Sequence, residues 1–595
     1  MALSCAVLVS SLVALTLAPM VGGRVLRAEN TEEHGKVFKA FERFFDRLGV
    51  RYDRALAWTL RHRLAVMVFG GLSVVLSGYF FMHLDKAFLP EEDKGRILFM
   101  AFTPQGSTPE FTDRMVRQIE DILHDTPEVD AFFSAVALPF EGPGNATQAF
   151  VFSRLKDGDR KHVRDIVAGP NGLQARLWME VEGAIAVPIL PKAVDVSFGQ
   201  PYELILQHPN LERLNEVTQM ITGKLYEGGW VSNVRPQFEM NKPEVRVTFN
   251  RDLAADLGVS IAEISRTLQV KFGGVDLSDI KLDGKQYEVI ARLAAENRMT
   301  PEDLKDVYVR SDSGELIPLS AVVRLEVATG PNQISRYQRR RASIIEGTPA
   351  GMTLGRAVEE TEAMLAEHLP PDVSYTWGGE ARDLQESSSD IYAFFLLAVV
   401  VVYMVLAAQF ESFVHPFTVM LSLPLAFLGA FALLYGLAWT NVLGEMLYGW
   451  VNYAPEPAPD WAVWAQKLVP RISSMNLNIF SQVGLVLLVG LVTKNSILLV
   501  EFANQLMAAG KSAKEAMREA GQKRLRPILM TSMATIMGIL PIAIGFGDAA
   551  ESRRPLGVVA VGGMISSTIL TLLVIPVIYT LLAELQEKFR GKKTD

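Results

Sequence analysis

The residue best placed to do chemistry is a lysine within an apolar run, LLVGLVTKNSILLVEFANQ at positions 487–505. Lys494 is the only charged residue between Ile472 and Val500. A charge at bilayer depth is costly, so it usually faces a partner or a water-filled path and marks ion or proton movement. The alternative is a lysine whose long side chain reaches the lipid headgroups. Apolar residues flank Lys494 on both sides, which favours the first interpretation.

A buried ammonium group requires a carboxylate, and the nearest one in sequence is Glu501. Seven residues of α-helix rise about 10 Å, so direct pairing along one helix is unfavourable. The other apolar runs carry no Asp or Glu at their centres. We therefore expect the carboxylate to come from an N-terminal part that this sequence lacks or from another chain.

The elements that must position Lys494 are membrane helices. Each charge-free run is close to or above the roughly 20 residues that cross about 30 Å of hydrocarbon. The sequence predicts seven such helices, at 1–23, 64–84, 391–410, 412–444, 472–493, 527–547 and 555–583. The single cysteine, Cys5, excludes a disulfide framework or a Cys-based metal site within one chain.

Basic residues predict the orientation of these helices. Segment 24–63 holds ten Lys and Arg against six Asp and Glu, and 501–526 holds six against three. Both segments are expected on the cytoplasmic side, which places 85–390 on the other side. Within the first segment, aromatic and apolar residues at helical spacing predict an amphipathic helix on the membrane surface or on a partner: Phe38, Phe41, Phe45, Leu48 and Tyr52.

The first apolar run lacks the charged leading region of a signal peptide, since Arg24 and Arg27 follow it. We expect that the chain starts inside a helix of a longer protein.

The extramembrane block, 96–380, alternates strand and helix patterns. ILFMAF (97–102), a helix near 108–125, VDAFFSAV and AFVFSRL form one unit, and YELILQ, ASIIEG, a helix near 354–368 and VSYTW form another. Such units predict split-βαβ, ferredoxin-like subdomains. Residues 241–330 are predicted to be an insertion within the second unit.

No enzyme signature stands out in this block or elsewhere. The eight histidines are scattered, G-x-S-x-G and H-E-x-x-H are absent, and the GKS at 510–512 lacks the first glycine of a phosphate-binding loop because Gln505 stands there. We expect no cofactor and no metal. The net charge of −8 argues against a nucleic-acid partner. A transporter without a nucleotide site must use an ion gradient.

Three segments resemble the C-terminal half of the resistance-nodulation-division (RND) permeases, the AcrB-like multidrug efflux pumps. They are GLVTKNSILLVEFANQ, QKRLRPILMTSMATIMGILPIAIG at 522–545 and AAQFESFVHPFTVMLSLPLAFLGA at 407–430. The likeness covers nearly the whole chain. It implies a polytopic α-helical membrane protein with a large α+β periplasmic region, built from ferredoxin-like porter subdomains plus a docking insertion. This chain resembles the last helix of the first half followed by all of the second.

The resemblance implies a proton relay that drives efflux from the bacterial inner membrane. Its residues correspond to Lys494, Asn495, Thr531 and Arg524, whereas the family's paired aspartates lie on a helix of the first half. Two simpler interpretations stay open. Thr531 could bond only to its own helix backbone, and Arg524 could be a positive anchor at the cytoplasmic surface.

The resemblance also implies a drug pocket. ALPFEGPGNATQAFVF at 137–152 is similar to the family's glycine-rich switch loop, where Gly142 and Gly144 would supply backbone freedom. Phe133, Phe140 and Phe150 match pocket phenylalanines, whose aromatic area suits small amphiphilic substrates. For each phenylalanine, packing in a core is an equal alternative.

The implied organisation extends to partners and domains. The family acts as a homotrimer with a periplasmic adaptor protein and an outer-membrane channel. The expected divisions are 1–23 membrane helix, 24–63 cytoplasmic segment, 64–84 membrane helix, 85–200 first porter subdomain, 201–240 with 331–390 second porter subdomain, 241–330 docking insertion, 391–440 two membrane helices, 441–478 periplasmic insertion, 479–583 three membrane helices and 584–595 cytoplasmic tail.

The segment 441–478 departs from the family pattern, which has a short loop there. Its aromatic residues predict a segment resting at the membrane interface: Trp450, Tyr453, Trp461 and Trp464.

Three alternatives to a drug exporter remain from sequence. A heavy-metal RND exporter would place methionine clusters in the pocket, whereas the switch-loop region holds phenylalanines. A membrane-anchored periplasmic assembly or secretion factor would use the same relay without a small substrate. A truncated reading frame would have no activity alone.

Overall fold

The computed structural model describes the backbone of residues 2–25, 36–90, 92–138, 144–158, 160–169, 171–192, 200–453, 459, 461–462, 465, 475–545 and 550–591. Phe140, Gly142 and Trp464 lie outside the described residues. The chain begins with three helices: α1 (Ala2–Val25), α2 (Lys36–Arg61) and α3 (Arg63–His83).

The first periplasmic unit is a four-stranded antiparallel sheet with helices on one face. Its elements are β1 (Arg96–Phe102), α4 (Pro109–His124), β2 (Val129–Val136), β3 (Gln148–Leu155), α5 (Val163–Ala168), α6 (Leu173–Glu180) and β4 (Ile185–Ile189). The spatial order β2-β3-β1-β4 is that of a split-βαβ fold. Because side chains alternate along a strand, Ile97, Phe99 and Ala101 pack under the helices while Met100 and Phe102 face away.

The second unit starts with β5 (Tyr202–Gln207), α7 (Leu211–Gly228) and β6 (Val231–Pro236). Asn210 caps α7 by accepting from the backbone N–H groups of Glu212 and Arg213, and Gly229 ends the helix in the left-handed conformation. The chain then leaves this unit after β6.

An inserted subdomain follows. It comprises β7 (Lys242–Phe249), α8 (Arg251–Asp256), α9 (Ile261–Leu268), β8 (Val275–Leu282), β9 (Lys285–Ala291), β10 (Tyr308–Arg310), β11 (Leu316–Pro318), α10 (Leu319–Val322) and β12 (Val323–Gly330). It has a small core of its own around Ile264, Leu319 and Val322. The β8–β9 hairpin projects from it with most side chains exposed.

The chain returns to the second unit through β13 (Ser335–Tyr337), β14 (Arg340–Pro349), α11 (Leu354–His368) and β15 (Ser374–Gly378). β14 pairs with β5 and with β6, and β15 pairs with β5, so this sheet repeats the order of the first one. Helices α7 and α11 cover one face, where Leu204, Leu206 and Ile345 are buried. The predicted pair of split-βαβ units is confirmed.

The rest of the chain is helical: α12 (Gly379–Phe410), α13 (Val414–Met420), α14 (Ser422–Tyr453), α15 (Ile479–Ala508), α16 (Ala513–Ile544) and α17 (Arg554–Gly591). Within the described residues, six helical segments are long and apolar enough to cross a membrane, and the apolar part of α1, Leu8–Arg24, is shorter. The central helix is α17, since 78% of its apolar window is buried against 6% for α12.

Several helix boundaries differ from the expectation, including the following three. α12 begins at Gly379, because the polar residues before 391 continue the same helix into the second periplasmic unit. α14 continues to Tyr453, so the start of the expected periplasmic insertion, 441–453, is helical; no proline interrupts NVLGEMLYGWVNY. α15 begins at Ile479, after Asn478 and Ser481 exchange capping bonds.

The predicted amphipathic helix is α2, and it packs on the ends of α16 and α17. Tyr52 and Leu56 are buried, and the Tyr52 hydroxyl donates to the backbone carbonyl of Leu572 (3.0 Å). Arg518 donates two hydrogen bonds to Asp53, both 2.8 Å. The Arg518–Asp53 contact joins the two segments that basic residues assign to the cytoplasm.

Candidate functional site

Lys494 lies at the middle of α15, a 30-residue helix that carries no other charge until Glu501. Its neighbours Thr493 and Asn495 are 4% and 2% exposed, whereas Lys494 is exposed. Three further residues on the same face of α15 are exposed: Val483, Gly490 and Glu501. Among the described residues none forms an ion pair with Lys494. The lysine therefore stands on a membrane helix face that this part of the protein leaves open.

Asn495 points away from that face into the helix bundle. Its side-chain amide donates to Ser532 Oγ on α16 (3.0 Å) and to Thr568 Oγ1 on α17 (3.4 Å). All three side chains are buried. This polar contact joins the helix that carries Lys494 to both of its neighbours. Ser532 and Thr568 were missed from sequence, although small polar residues within a membrane helix are the expected partners for such an amide.

The two remaining relay candidates lie on α16. Thr531 Oγ1 donates to the carbonyl of Ile528 (3.1 Å), which is the backbone bond left open as its simpler interpretation. The Arg524 guanidinium lies over the Phe502 ring of α15, 4.7 Å from its centroid, and its buried Nε has no hydrogen-bond partner among the described residues. Among the described residues, neither side chain forms a hydrogen bond with Lys494.

A second candidate site is a cleft of about 1010 Å³ between the two periplasmic units. It lies between the sheet faces that the helices leave uncovered. Apolar lining comes from the first unit through Met100, Phe102 and Phe150. Polar lining comes mainly from the second unit.

The polar side of the cleft is organised by Arg235. Its guanidinium donates to Glu346 Oε2 (2.9 Å) and lies 3.4 Å from the centroid of the Phe102 ring. Gln237 donates to the other oxygen of Glu346 at 2.5 Å. A charged pair and an aromatic face thus meet in one cleft, which can accept both apolar and polar groups of a ligand. Sequence reasoning missed these residues because β6 and β14 are far apart in the chain.

The comparison with known families decides the identity. A model of the AcrB/AcrD/AcrF family matches residues 1–441 and 467–583. The chain belongs to this family. It is therefore a chain of RND efflux-transporter type, a multi-pass protein of the bacterial inner membrane with a periplasmic region. The match omits 442–466, within the segment that departs from the family pattern.

Relatives of this AcrB-family chain include efflux transporters from Pseudomonas putida. The multidrug/solvent efflux pump membrane transporter MepB is 31% identical over 587 residues, 97% of this chain and 52% of the relative. The toluene efflux pump membrane transporter TtgB of the same species is 30% identical over the same shares. The crystal structure of a heavy metal efflux pump has the same fold, with a TM-score of 0.73 at 22% identity, covering 90% of this chain and 52% of that one. The chain spans about half the length of these relatives.

The predicted pocket phenylalanines of this AcrB-family chain fall at different places. Phe133, Phe150 and Phe152 share the helix-free face of the first sheet, because Phe133 pairs with Phe152 and Ala135 with Phe150. Phe150 lines the cleft and is 5% exposed, whereas Phe133 is 62% exposed and does not line it. Phe140 lies outside the described residues.

Gly144 is required for a reason other than the expected backbone freedom. A Cβ atom there would lie 1.9 Å from the carbonyl oxygen of Ala137, so only glycine permits this close approach at the base of the loop. The loop ends are further joined by the Ala137 N–H, which donates to the carbonyl of Gln148 (2.9 Å). Gly142 lies outside the described residues.

Proposed function

We propose that this chain is part of a secondary active exporter that uses inward proton flow to move hydrophobic or amphiphilic compounds. The observation that carries the proposal is Lys494, a lone charge at the middle of a membrane helix and on its open face. A charge in this position is costly unless a partner neutralises it or it faces a water-filled path. Efflux is also the activity for which these relatives are named.

In this proposal Lys494 pairs with carboxylates supplied from outside this sequence, and their protonation releases it. Asn495 holds the rotation of α15 through Ser532 and Thr568. Arg524 and Thr531, on α16, would complete the relay once the open face is covered. The unpartnered Nε of Arg524 supports a role beyond that of a surface anchor.

The cleft between the periplasmic units is the proposed binding site for a substrate. Its aromatic and sulfur-containing wall suits varied apolar groups, and the Arg235–Glu346 pair offers fixed hydrogen-bonding groups. Phe133, Phe140, Gly142 and Gly144 remain proposed pocket residues from the family resemblance.

Replacement of Phe150 by alanine is expected to lower efflux of some amphiphiles by severalfold and to leave others nearly unchanged, because lost contact area weakens ligands unequally. The measurement is a panel of resistance or dye-efflux assays. Phe99→Ala is the matched control, since Phe99 lies on the neighbouring strand with its ring buried in the core. A uniform loss for Phe150→Ala with reduced abundance, as expected for Phe99→Ala, would assign Phe150 to packing.

We further propose the domain division expected from sequence, with 241–330 contacting an outer-membrane channel and the whole acting as a homotrimer with an adaptor protein. The exposed β8–β9 hairpin supports a contact there, since Leu277, Tyr287 and Ile290 present apolar area to solvent.

A heavy-metal exporter is the second candidate, because the structural relative is a heavy metal efflux pump. A soft metal requires several sulfur ligands. The described lining of the cleft includes one methionine, Met100, which favours an organic substrate.

The source of the relay carboxylate can be tested with the 595-residue chain alone. In proteoliposomes with an imposed pH gradient we expect no gradient-dependent dye movement, because Lys494 has no carboxylate partner among the described residues. Co-reconstitution with an N-terminal half from a relative is the matching arm. Transport by the chain alone would place the carboxylate within this chain or its oligomer.

A further inference from the structure

The connection between α16 and α17 meets the first periplasmic unit at a cluster of charged and polar groups. Glu551, in that connection, lies 3.2 and 3.3 Å from His162 Nε2 through its two carboxylate oxygens. Next to it, Ser552 donates to Glu92 (3.1 Å), and both side chains are buried at 4% exposure. The contact joins a periplasmic unit to α16, which carries Arg524 and Thr531, and to α17, which carries the Asn495 partner Thr568.

His162 is held from both sides of its ring. It precedes α5, and its Nδ1 accepts from the backbone N–H of Arg164 (3.3 Å). Only a ring without a proton on Nδ1 can accept this bond, so Nε2 carries a proton and donates to Glu551. The Glu551 carboxylate favours a second proton on the His162 ring. The hydrogen bond from the Arg164 N–H favours a neutral ring.

The charged groups around His162 come from four places in the chain. Besides Glu551, Asp93 precedes β1 and is bound by Arg160 at 2.6 and 2.8 Å. Arg164 is 3.8 Å from Glu445 on α14. Arg554, at the start of α17, adds positive charge near Glu551.

We propose that His162 and Glu551 form a pH-sensitive latch that ties the position of α16 and α17 to the first periplasmic unit. His162 is a positioning residue that responds to periplasmic protons. The latch depends on this contact and not on which compound is exported.

The direction of the pH response follows from the charges. The hydrogen bond to Glu551 raises the pKa of His162, with burial opposing it and Asp93 reinforcing it. The same bond holds the pKa of Glu551 below its usual range. A raised histidine pKa means that the full interaction is present below the ordinary histidine pKa and weakens as pH rises through the raised value. At Asp93 burial opposes ionisation, but bonds from Arg160, Val163 N–H and Gly95 N–H hold its pKa at about 2, so it stays charged throughout.

The first test is a titration of the purified full chain with ¹³C-labelled histidine by NMR. The His162 signal is identified by its loss in His162→Gln. We expect it to titrate above the ordinary histidine pKa and to move down in Glu551→Gln. A His162 pKa that does not exceed the ordinary histidine value, or that is unchanged in Glu551→Gln, would overturn the latch.

The second test is hydrogen exchange of the full chain at pH 6 and pH 8.5, compared as protection factors. In Glu551→Gln we expect α5 to lose protection at pH 6 by roughly two- to fivefold, the range for a partly exposed ion pair. The converse variant, His162→Gln, should lower the protection factors of residues 550–556 at pH 6. His162→Lys keeps a positive charge at both pH values, so α5 should keep its protection factors at both. This variant is also the control for misfolding of His162→Gln. Unchanged protection factors of α5 in Glu551→Gln at pH 6 would show that the His162–Glu551 contact does not stabilise α5, and would overturn the latch.

Discussion

Lys494→Ala is expected to reduce proton-driven efflux to background in cells that supply the rest of the transporter. The reason is electrostatic. A lysine on the open face of α15 can respond to a carboxylate that gains or loses a proton, and alanine cannot. Lys494→Arg is expected to fail as well, because the guanidinium stays protonated and is larger and planar. The measurement is dye efflux in energised cells, with membrane abundance determined in parallel.

Lys514→Ala is the matched control for this prediction. Lys514 is an exposed lysine in the first turn of α16, outside the bundle core, so its loss should leave efflux unchanged. Normal efflux by Lys494→Ala at normal abundance would remove Lys494 from the relay. Loss of abundance in Lys494→Ala alone would instead assign the lysine to folding.

Gly429→Ala is expected to destabilise the membrane bundle by about 3 kcal/mol, since inserting atoms where backbones touch forces helices apart. Gly429 lies where α14 crosses α17. An added Cβ would lie 2.2 Å from the carbonyl oxygen of Gly562 and 2.3 Å from Ser566 Oγ. Ser566 also accepts from the Gly429 N–H (3.2 Å), so displacement would break this bond. Small residues at such a crossing are the usual means of close helix packing in lipid.

Gly436→Ala on the same helix is the control, because nothing lies within 4 Å of its added Cβ. Alanine is the better helix former by about 1 kcal/mol, so this variant should be neutral or slightly more stable. Thermal unfolding in detergent of the two variants and the parent is the measurement. Equal stability of Gly429→Ala and Gly436→Ala would show that the α14–α17 crossing can open without cost.

Local patterns were sufficient for much of the fold. The apolar, strand-like runs ILFMAF and AFVFSRL predicted β1 and β3 to within one residue, and hydropathy located the apolar helices. Helix ends were less well predicted. α14 passes Glu445 without a break, because one charge near a helix end can be met by Arg164 of the first periplasmic unit, 3.8 Å away.

The same contrast between local patterns and long-range contacts applies to the candidate sites. The depth of Lys494 in the membrane could be predicted, since it depends only on the apolar residues before and after it. The partners of Asn495 could not, because Ser532 and Thr568 are 37 and 73 residues away and meet it only when three helices pack. Phe133 and Phe150 looked equivalent in sequence, yet of the two only Phe150 lines the cleft that faces the second unit.

The sequence by itself determined the kinds of element, their order and the presence of a lone charge in α15. These properties follow from runs of residues whose effects are local, such as hydropathy and strand alternation. Only the tertiary structure decided that Lys494 faces outward while Asn495 faces inward, that Arg235 meets Glu346 beside Phe102, and that His162 reaches Glu551. Those contacts depend on the rotation of helices and on the approach of units far apart in the chain, because packing, rather than local preference, selects which faces touch.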